Sequence, residues 1–345
     1  MQEGTLDPQI ARALLLKLGD HVRTQIIQAR QAAVGAEGVL SSISRESAAD
    51  TIYEIDRVSE EAIQSWFAQN WTPKAPVELV MEGVTPDQPV TFPHGTPVEH
   101  TLYKCIIDPV DGTRGIMYYK RPAWFLAGLA PQKGGLTRLS DIEIAVMVEL
   151  PTTKQWRADR VSAIRGRGTV ADSVNVFTNE TEPLLPRPSR AENVLHGFAY
   201  ISRFFPTGKK LIAAIEEELW ARVHPPTVDR ESIIFEDQYI CTGGQFYEIL
   251  AGHDRFIADI RPLVYAKLGI QSALCCHPYD VCTYLVLSEL GIIVEHPLGG
   301  AMDGPFDTTS AISWVAYAND KLASRVRPVL KAILQQKLYE RPGMG

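Results

Sequence analysis

Between residues 8 and 33, apolar side chains recur at every fourth position, at Ile10, Leu14, Leu18, Val22 and Ile26. This spacing predicts a helix with one buried stripe, begun by Asp7 with Pro8 in its first turn. A second helix is expected after Asp56, where Val58, Ala62, Ile63, Trp66 and Phe67 share a face. The period then changes. Val77–Met81, Tyr103–Ile107, Ala123–Ala130 and Ile142–Glu149 are apolar runs bounded by Pro, Gly or Asp, and they predict strands. Several follow one another without intervening helices, so this half reads as a largely antiparallel α+β unit.

The stretch 179–190 carries Pro183, Pro186 and Pro188 among polar residues and is the best linker candidate. It divides the chain into an expected α+β domain over 1–185 and an α/β domain over 186–345. In the second part, strands are expected at 193–200, 256–260, 291–295 and 312–317. Helices are expected at 209–223, 244–251 and 279–290 and at the C-terminus.

The length of 345 residues is consistent with two domains. Apolar residues at 45% and charged residues at 22% are the values of a packed protein rather than a disordered one. A formal charge of −7 argues against nucleic-acid binding, which calls for a basic face. No apolar run approaches the roughly 18 residues of a membrane-spanning helix; the longest, Ala123–Ala130, reads as a buried strand. Asp7 and Pro8 lead directly into an amphipathic pattern, without the charged-then-apolar order of a signal peptide. The five cysteines lack the spacing of a disulfide framework or of paired zinc knuckles, and the cytoplasm is the expected compartment. Cys275, Cys276 and His277 could be a fragment of a metal site, but two adjacent cysteines are poor ligands for one ion, so a packed helix entrance is expected.

The most informative stretch runs from Tyr103 to Gly115, Tyr-Lys-Cys-Ile-Ile-Asp-Pro-Val-Asp-Gly-Thr-Arg-Gly. An apolar strand ends at Asp108, a turn passes through Pro109 and Val110, and Asp111-Gly112-Thr113 can open a helix. Such a turn points two carboxylates and the Val110 carbonyl toward one spot, a hard oxygen set suited to Mg²⁺. The Gly112 and Thr113 amides would then serve as helix-start donors for a phosphate. Pro-Val-Asp-Gly is also an ordinary turn sequence.

The chain resembles the inositol monophosphatase superfamily, which includes fructose-1,6-bisphosphatases and phosphoadenosine phosphate phosphatases. The resemblance rests on Asp108-Pro-Val-Asp-Gly-Thr113, on Asp50 and Asp56 running into a helix, and on Glu82 in Leu-Val-Met-Glu-Gly. It continues with Tyr279-Asp280-Val281, Gly166-Arg167-Gly168 and the ending Val315-Ala316-Tyr317-Ala318-Asn319, all in order. It implies a layered sandwich of alternating helices and sheets and a Mg²⁺-dependent hydrolase acting on the phosphate monoester of a small metabolite. It further implies Glu82, Asp108, Asp111 and Asp280 as ligands of two or three Mg²⁺ ions, together with the Val110 carbonyl. Thr113 with Glu82 would activate the attacking water, and Asp56 would hold Thr113 or a water. Lithium sensitivity and a homodimer are implied in the same way. The alternatives are a non-catalytic member that binds a phosphometabolite as a sensor or partner, and an unrelated fold in which 108–113 is only a turn.

If the four carboxylates converge, cations become nearly obligatory. Two unit charges ~4 Å apart repel by roughly 4 kcal/mol at an effective dielectric near 20. Without cations some of the carboxylates would take up protons instead. Seen singly, Glu82 also reads as a strand-end charge, and Asp56 and Asp280 as helix-dipole partners. The sequence departs from the family pattern at Gly83, Tyr53 and Tyr279, where a Glu, a Thr and a Trp are usual. The Pro- and Gly-rich segment from 83 to 103, with His94 and His100, is expected to be a lid or an interface loop. Arg114, Lys120 and Arg121 suggest a basic rim for an anionic substrate, with Gly112, Thr113, Arg114 and Arg203 as substrate contacts.

Overall fold

A computed structural model describes residues 5–32, 43–46, 51–81, 84, 88–224, 234–271 and 274–340, except for the side chains of 32, 43–46, 51–54 and 56. The chain begins with α1 (Pro8–Ala32), the short antiparallel pair β1 (Ile43–Glu46) and β2 (Thr51–Tyr53), and α2 (Glu54–Asn70). Next come β3 (Val77–Met81), β4 (Val90–Phe92), β5 (Tyr103–Asp111), α3 (Thr113–Met117) and β6 (Ala123–Pro131). They are followed by β7 (Ile144–Leu150), β8 (Arg157–Ile164), β9 (Thr169–Asn175) and β10 (Thr181–Leu184). The remainder supplies β11 (Gly197–Ile201), α4 (Lys209–Val223), β12 (Ile234–Phe235), α5 (Thr242–Leu250), β13 (Asp254–Asp259) and α6 (Arg261–Leu268). Last are α7 (Pro278–Val281), α8 (Tyr284–Ser288), β14 (Ile293–Glu295), β15 (Trp314–Tyr317) and α9 (Asp320–Leu334).

Two sheets result. One has eight strands in the order β10-β9-β8-β7-β6-β5-β3-β4, antiparallel except for the β3–β5 pair. The other has five, β12-β11-β13-β15-β14, and is mixed. Strand β6 shows why its sequence is apolar throughout. Phe125, Ala127 and Leu129 face one core with Leu15, Leu18 and Val22 of α1 and Ile63 and Phe67 of α2. Trp124, Leu126 and Ala130 face a second core with Phe246 of α5, Val281 of α7, Phe256 of β13 and Trp314 of β15. With both faces covered, the usual polar alternation is lost. The layers run from α1 and α2, through the eight-stranded sheet, to α5, α7 and α8, then to the five-stranded sheet and finally to α4 and α9. This is the alternating helix-and-sheet α+β arrangement expected.

Several details differ from expectation. In α1 the buried apolar side chains are Ala11, Leu15, Leu18, Val22 and Ile26, whereas Ile10 is 54% exposed. A strict four-residue repeat drifts around a helix of 3.6 residues per turn, and the buried face corrects the drift with a three-residue step. The proline-rich stretch contains β10 at the sheet edge, where Pro183, which has no N–H, leaves no ladder bond unmade on the open side. In the expected lid, β4 pairs with β3 and Phe92 is buried against the Phe67 ring, 5.4 Å between centroids, so residues 90–92 are packed sheet edge. The rest of the expected lid includes residues 83 and 85–87, which lie outside the described residues. The single helix expected at 279–290 is two short ones, parted at Cys282–Thr283, where the β-branched Thr283 is fully buried. Strands β8 and β9 were not expected, because half of their buried apolar side chains are alanines (Ala158, Ala163, Ala171), set among charged neighbours.

Candidate metal centre

Asp108 and Asp111 are three residues apart in one strand, a spacing that in regular pleating sends side chains to opposite faces. Opposite them, β6 advances by only two residues, Asp108 pairing with Leu126 and Asp111 with Trp124. The extra residue is a β-bulge, and it brings both side chains to the same side of the sheet. The Val110 N–H donates to Asp108 Oδ1 at 3.0 Å and tightens the bulge. Gly112 then takes φ +101°, where an added Cβ would meet Cys241 at 3.1 Å, so the turn into α3 requires glycine.

Asp280 arrives from the other part of the chain. It is the third residue of α7, and its Oδ2 accepts the His277 N–H at 2.5 Å in a capping arrangement. His277 Nδ1 lies 2.9 Å from the Ser310 carbonyl, and the Cys276 carbonyl accepts the Ile312 N–H, so the α7 entrance is braced from both sides. The result is a group in which Asp108, Asp111 and Asp280 each offer an oxygen within 4.8 Å of the others. Asp108 and Asp111 are buried and Asp280 is partly exposed.

Electrostatics reports the strain of that arrangement. Burial, and then the Asp280 charge, push the Asp111 carboxyl well above the usual carboxylate range. The Asp280 carboxyl is raised too, mainly by burial, with His277 opposing the shift. Two groups partly offset the repulsion at Asp111. One is the N-terminus of α5, whose Gly243 N–H donates to Asp111 Oδ2 at 2.5 Å. The other is Arg261, buried and fork-bonded to Asp259, which favours the ionised forms of both Asp111 and Asp280. Three acidic oxygens converging with so little cationic side-chain charge fit a hard divalent cation.

The expected site residues sort as follows. Asp108, Asp111 and Asp280 are brought together. Val110 is buried beside them, and its carbonyl accepts the Thr113 hydroxyl at 2.9 Å. Gly112 and Thr113 form the start of α3, and Arg114 follows within it, half-buried. Glu82 lies outside the described residues; strand β3 ends just before it, with Met81 paired to Ile107 next to Asp108. Asp56 lies in the first turn of α2, and its side chain lies outside the described residues. The Arg203 guanidinium is engaged by Glu216 and Glu236, and its backbone N–H donates to Gln238 Oε1 at 3.0 Å. Cys276 and His277 do form a packed helix entrance, and the cysteines are free thiols.

The contribution of α5 was missed. Its first residues, Thr242 and Gly243, supply backbone donors to Asp111. An added Cβ on Gly243 would sit 2.8 Å from Trp124 Cβ and 2.9 Å from Leu126 Cδ2. The signal was the paired Gly243-Gly244 at a helix start, which marks a close backbone approach.

No family model matches the chain, and no curated protein matches it in sequence. Solved structures do share its fold. The extragenic suppressor protein SuhB from Bartonella henselae aligns over 93% of this chain and 98% of its own, at 15% identity with a TM-score of 0.61. Fructose-1,6-bisphosphatase from Leishmania major covers 93% of this chain and 92% of its own, at 11% identity and 0.64. A Pyrococcus horikoshii protein described as similar to inositol-1 monophosphatase covers 97% and 100%, at 16% identity and 0.59. The fold implied by the resemblance in sequence is the fold present.

Proposed function

We propose that this protein is a Mg²⁺-dependent phosphatase that hydrolyses the phosphate monoester of a small soluble metabolite. The observation that carries the reading is the convergence of Asp108, Asp111 and Asp280 within 4.8 Å from positions up to 172 residues apart (280 − 108). Two of the similar folds carry phosphatase names, a fructose-1,6-bisphosphatase and a protein similar to inositol-1 monophosphatase.

In this reading Asp108, Asp111, Asp280 and the Val110 carbonyl would hold Mg²⁺, with Glu82 completing the set for two or three ions. Bound Mg²⁺ would supply Lewis acidity, acidifying the attacking water and neutralising charge on the phosphate. The chain's own groups orient the reaction. Thr113 donates its O–H to the Val110 carbonyl and would accept a hydrogen bond from the attacking water, which orients it. Glu82 would take the water's proton, and Asp56 would hold Thr113 or a water in place. Gly112 and Thr113 amides and the Arg114 guanidinium meet the phosphate, and Arg203 lies on a substrate-selecting loop. Lithium inhibits by replacing one ion, and the protein works as a homodimer in the cytoplasm.

The test is phosphate release from a panel of inositol phosphates, sugar mono- and bisphosphates, phosphonucleotides and histidinol phosphate, with Mg²⁺, with EDTA, and with added lithium. Release that needs Mg²⁺ and falls with lithium supports the reading. Tight binding of a phosphometabolite without turnover would replace it with the sensor reading. Arg114→Ala should depress turnover of bisphosphates more than that of monophosphates; equal effects remove the basic rim.

A further inference from the structure

At the other end of α5 from Asp111 lies a cavity of about 210 Å³, lined by Arg121, Phe198, Asp237, Glu248, His253 and Asp254. Three of its walls are carboxylates. Two of these have partners: Asp237 pairs with Arg121, and Glu248 lies 2.5 Å from His253 Nδ1. Asp254, the first residue of β13, is different. It is only 4% exposed, and its carboxylate has no hydrogen-bond or ion-pair partner among the described residues. Arg121, the cation whose field reaches it, is committed to Asp237 and to the Tyr239 ring, 4.7 Å from the centroid.

A buried carboxylate without a partner costs free energy that a ligand can recover. Burial, Glu248 and Asp237 push this carboxyl up to about 7. The missing complement is a cation, and the C-terminal end of α5, where Glu248 lies, adds partial negative charge of the same sense. Its chemistry is narrowed by two further observations. Among the described residues the only group of converging acidic, His or Cys ligand atoms is Asp108, Asp111 and Asp280, so this cavity does not present a metal's ligand set. Phe198 offers an aromatic wall, 40% exposed, against which an aliphatic chain or an ammonium can lie.

We infer that this cavity binds the primary ammonium group of a small aliphatic amine, with Asp254 accepting its hydrogen bonds and Phe198 covering its chain. The inference stands apart from the proposed metal centre, since none of the six residues is among the proposed metal ligands; Arg121, expected in the basic rim, is held here by Asp237.

The test is calorimetric titration of the 345-residue protein in Mg²⁺ with putrescine at about 0.15 M salt, where diffuse surface attraction is screened. Saturable one-to-one binding is expected, with none for the diol of the same chain length. Asp254→Asn should weaken binding about tenfold or more, the loss of one charge-assisted hydrogen bond. Asp254→Asn removes an unpartnered carboxylate, so its thermal midpoint should not fall. Should it nevertheless fail to fold, Phe198→Ala, a change at a partly exposed side chain, is expected to weaken binding several-fold. No saturable binding, equal affinity in both variants, equal binding of the diol, or a Mn²⁺ equivalent that disappears with Asp254→Asn would each overturn the inference.

Discussion

The Asp111 carboxylate accepts the Gly243 N–H at 2.5 Å, which ties the bulged strand of the eight-stranded sheet to the first turn of a helix packed on the five-stranded one. One side chain thereby serves two ends: it is a proposed metal ligand, and it satisfies an otherwise orphaned helix donor. The two roles can be separated by substitution.

Asp111→Asn keeps an oxygen for Gly243 and removes the charge. Thermal melts should show Mg²⁺ stabilising the native protein, by about 2.7 kcal/mol at a hundredfold excess over Kd, and leaving the variant unmoved. Mg²⁺-dependent phosphate release should drop about a hundredfold or more, since even outer partners of metal ligands are worth 10–100-fold. In EDTA the variant should melt at or above the wild-type temperature, because a buried like-charge contact with Asp280 is gone. A variant that still gains stability from Mg²⁺ would exclude Asp111 as a ligand.

The raised carboxyls fix the sign of a pH effect. The metal-free fold retains protons on Asp111 and Asp280 that the unfolded chain releases above about pH 4, so its stability falls as pH rises through the elevated folded values. Glu149, Glu216 and Asp254, each pushed up to about 7 mainly by burial, add the same sign. The centre's own share is the difference between melts in Mg²⁺ and in EDTA, because the ion must displace those protons. That difference should be larger at about pH 8 than at about pH 5.5. A Mg²⁺ stabilisation independent of pH would contradict shared protons at the centre.

Gly243→Ala places a methyl 2.8 Å from Trp124 Cβ, in packed core on both sides. The expected loss is about 1–3 kcal/mol by denaturant unfolding, with α5 displaced from Asp111 and activity reduced beyond what the remaining folded fraction explains. Gly112→Ala should cost a comparable amount through its backbone at φ +101°. Wild-type unfolding midpoints for both would show that these close approaches are not real.

Thr113→Val removes the hydroxyl that bonds to the Val110 carbonyl while keeping the shape. Turnover should fall about 10²- to 10⁴-fold, the range for a positioned proton-transfer group, with Mg²⁺-induced stabilisation retained. Thr113→Ser, which restores a hydroxyl, should recover most of the rate. Equal activity in both variants would remove Thr113 from the chemistry.

Local chemistry sufficed for much of this chain. The helix at 209–223 and the strand at 77–81 were readable to the residue, because periodicity and length agree there with the tertiary structure. The Asp-Pro-Val-Asp-Gly-Thr stretch marked the centre because its turn residues and carboxylates sit within six positions of one another. Other features depended on what covers each face. The two-sided burial of β6, the edge position that accommodates Pro183, and the three-residue step in α1 follow from neighbours far along the chain. So did the meeting of Asp280 with Asp108 and Asp111, and the arrival of Gly243 as a donor. The sequence predicts a turn through Pro109 and Val110 that brings Asp108 and Asp111 together, but the strand runs on to Asp111, where regular pleating would part them. Only the register against β6, set by packing of whole sheets, inserts the bulge that makes them converge, because side-chain direction in a strand is a property of the pair and not of the sequence alone.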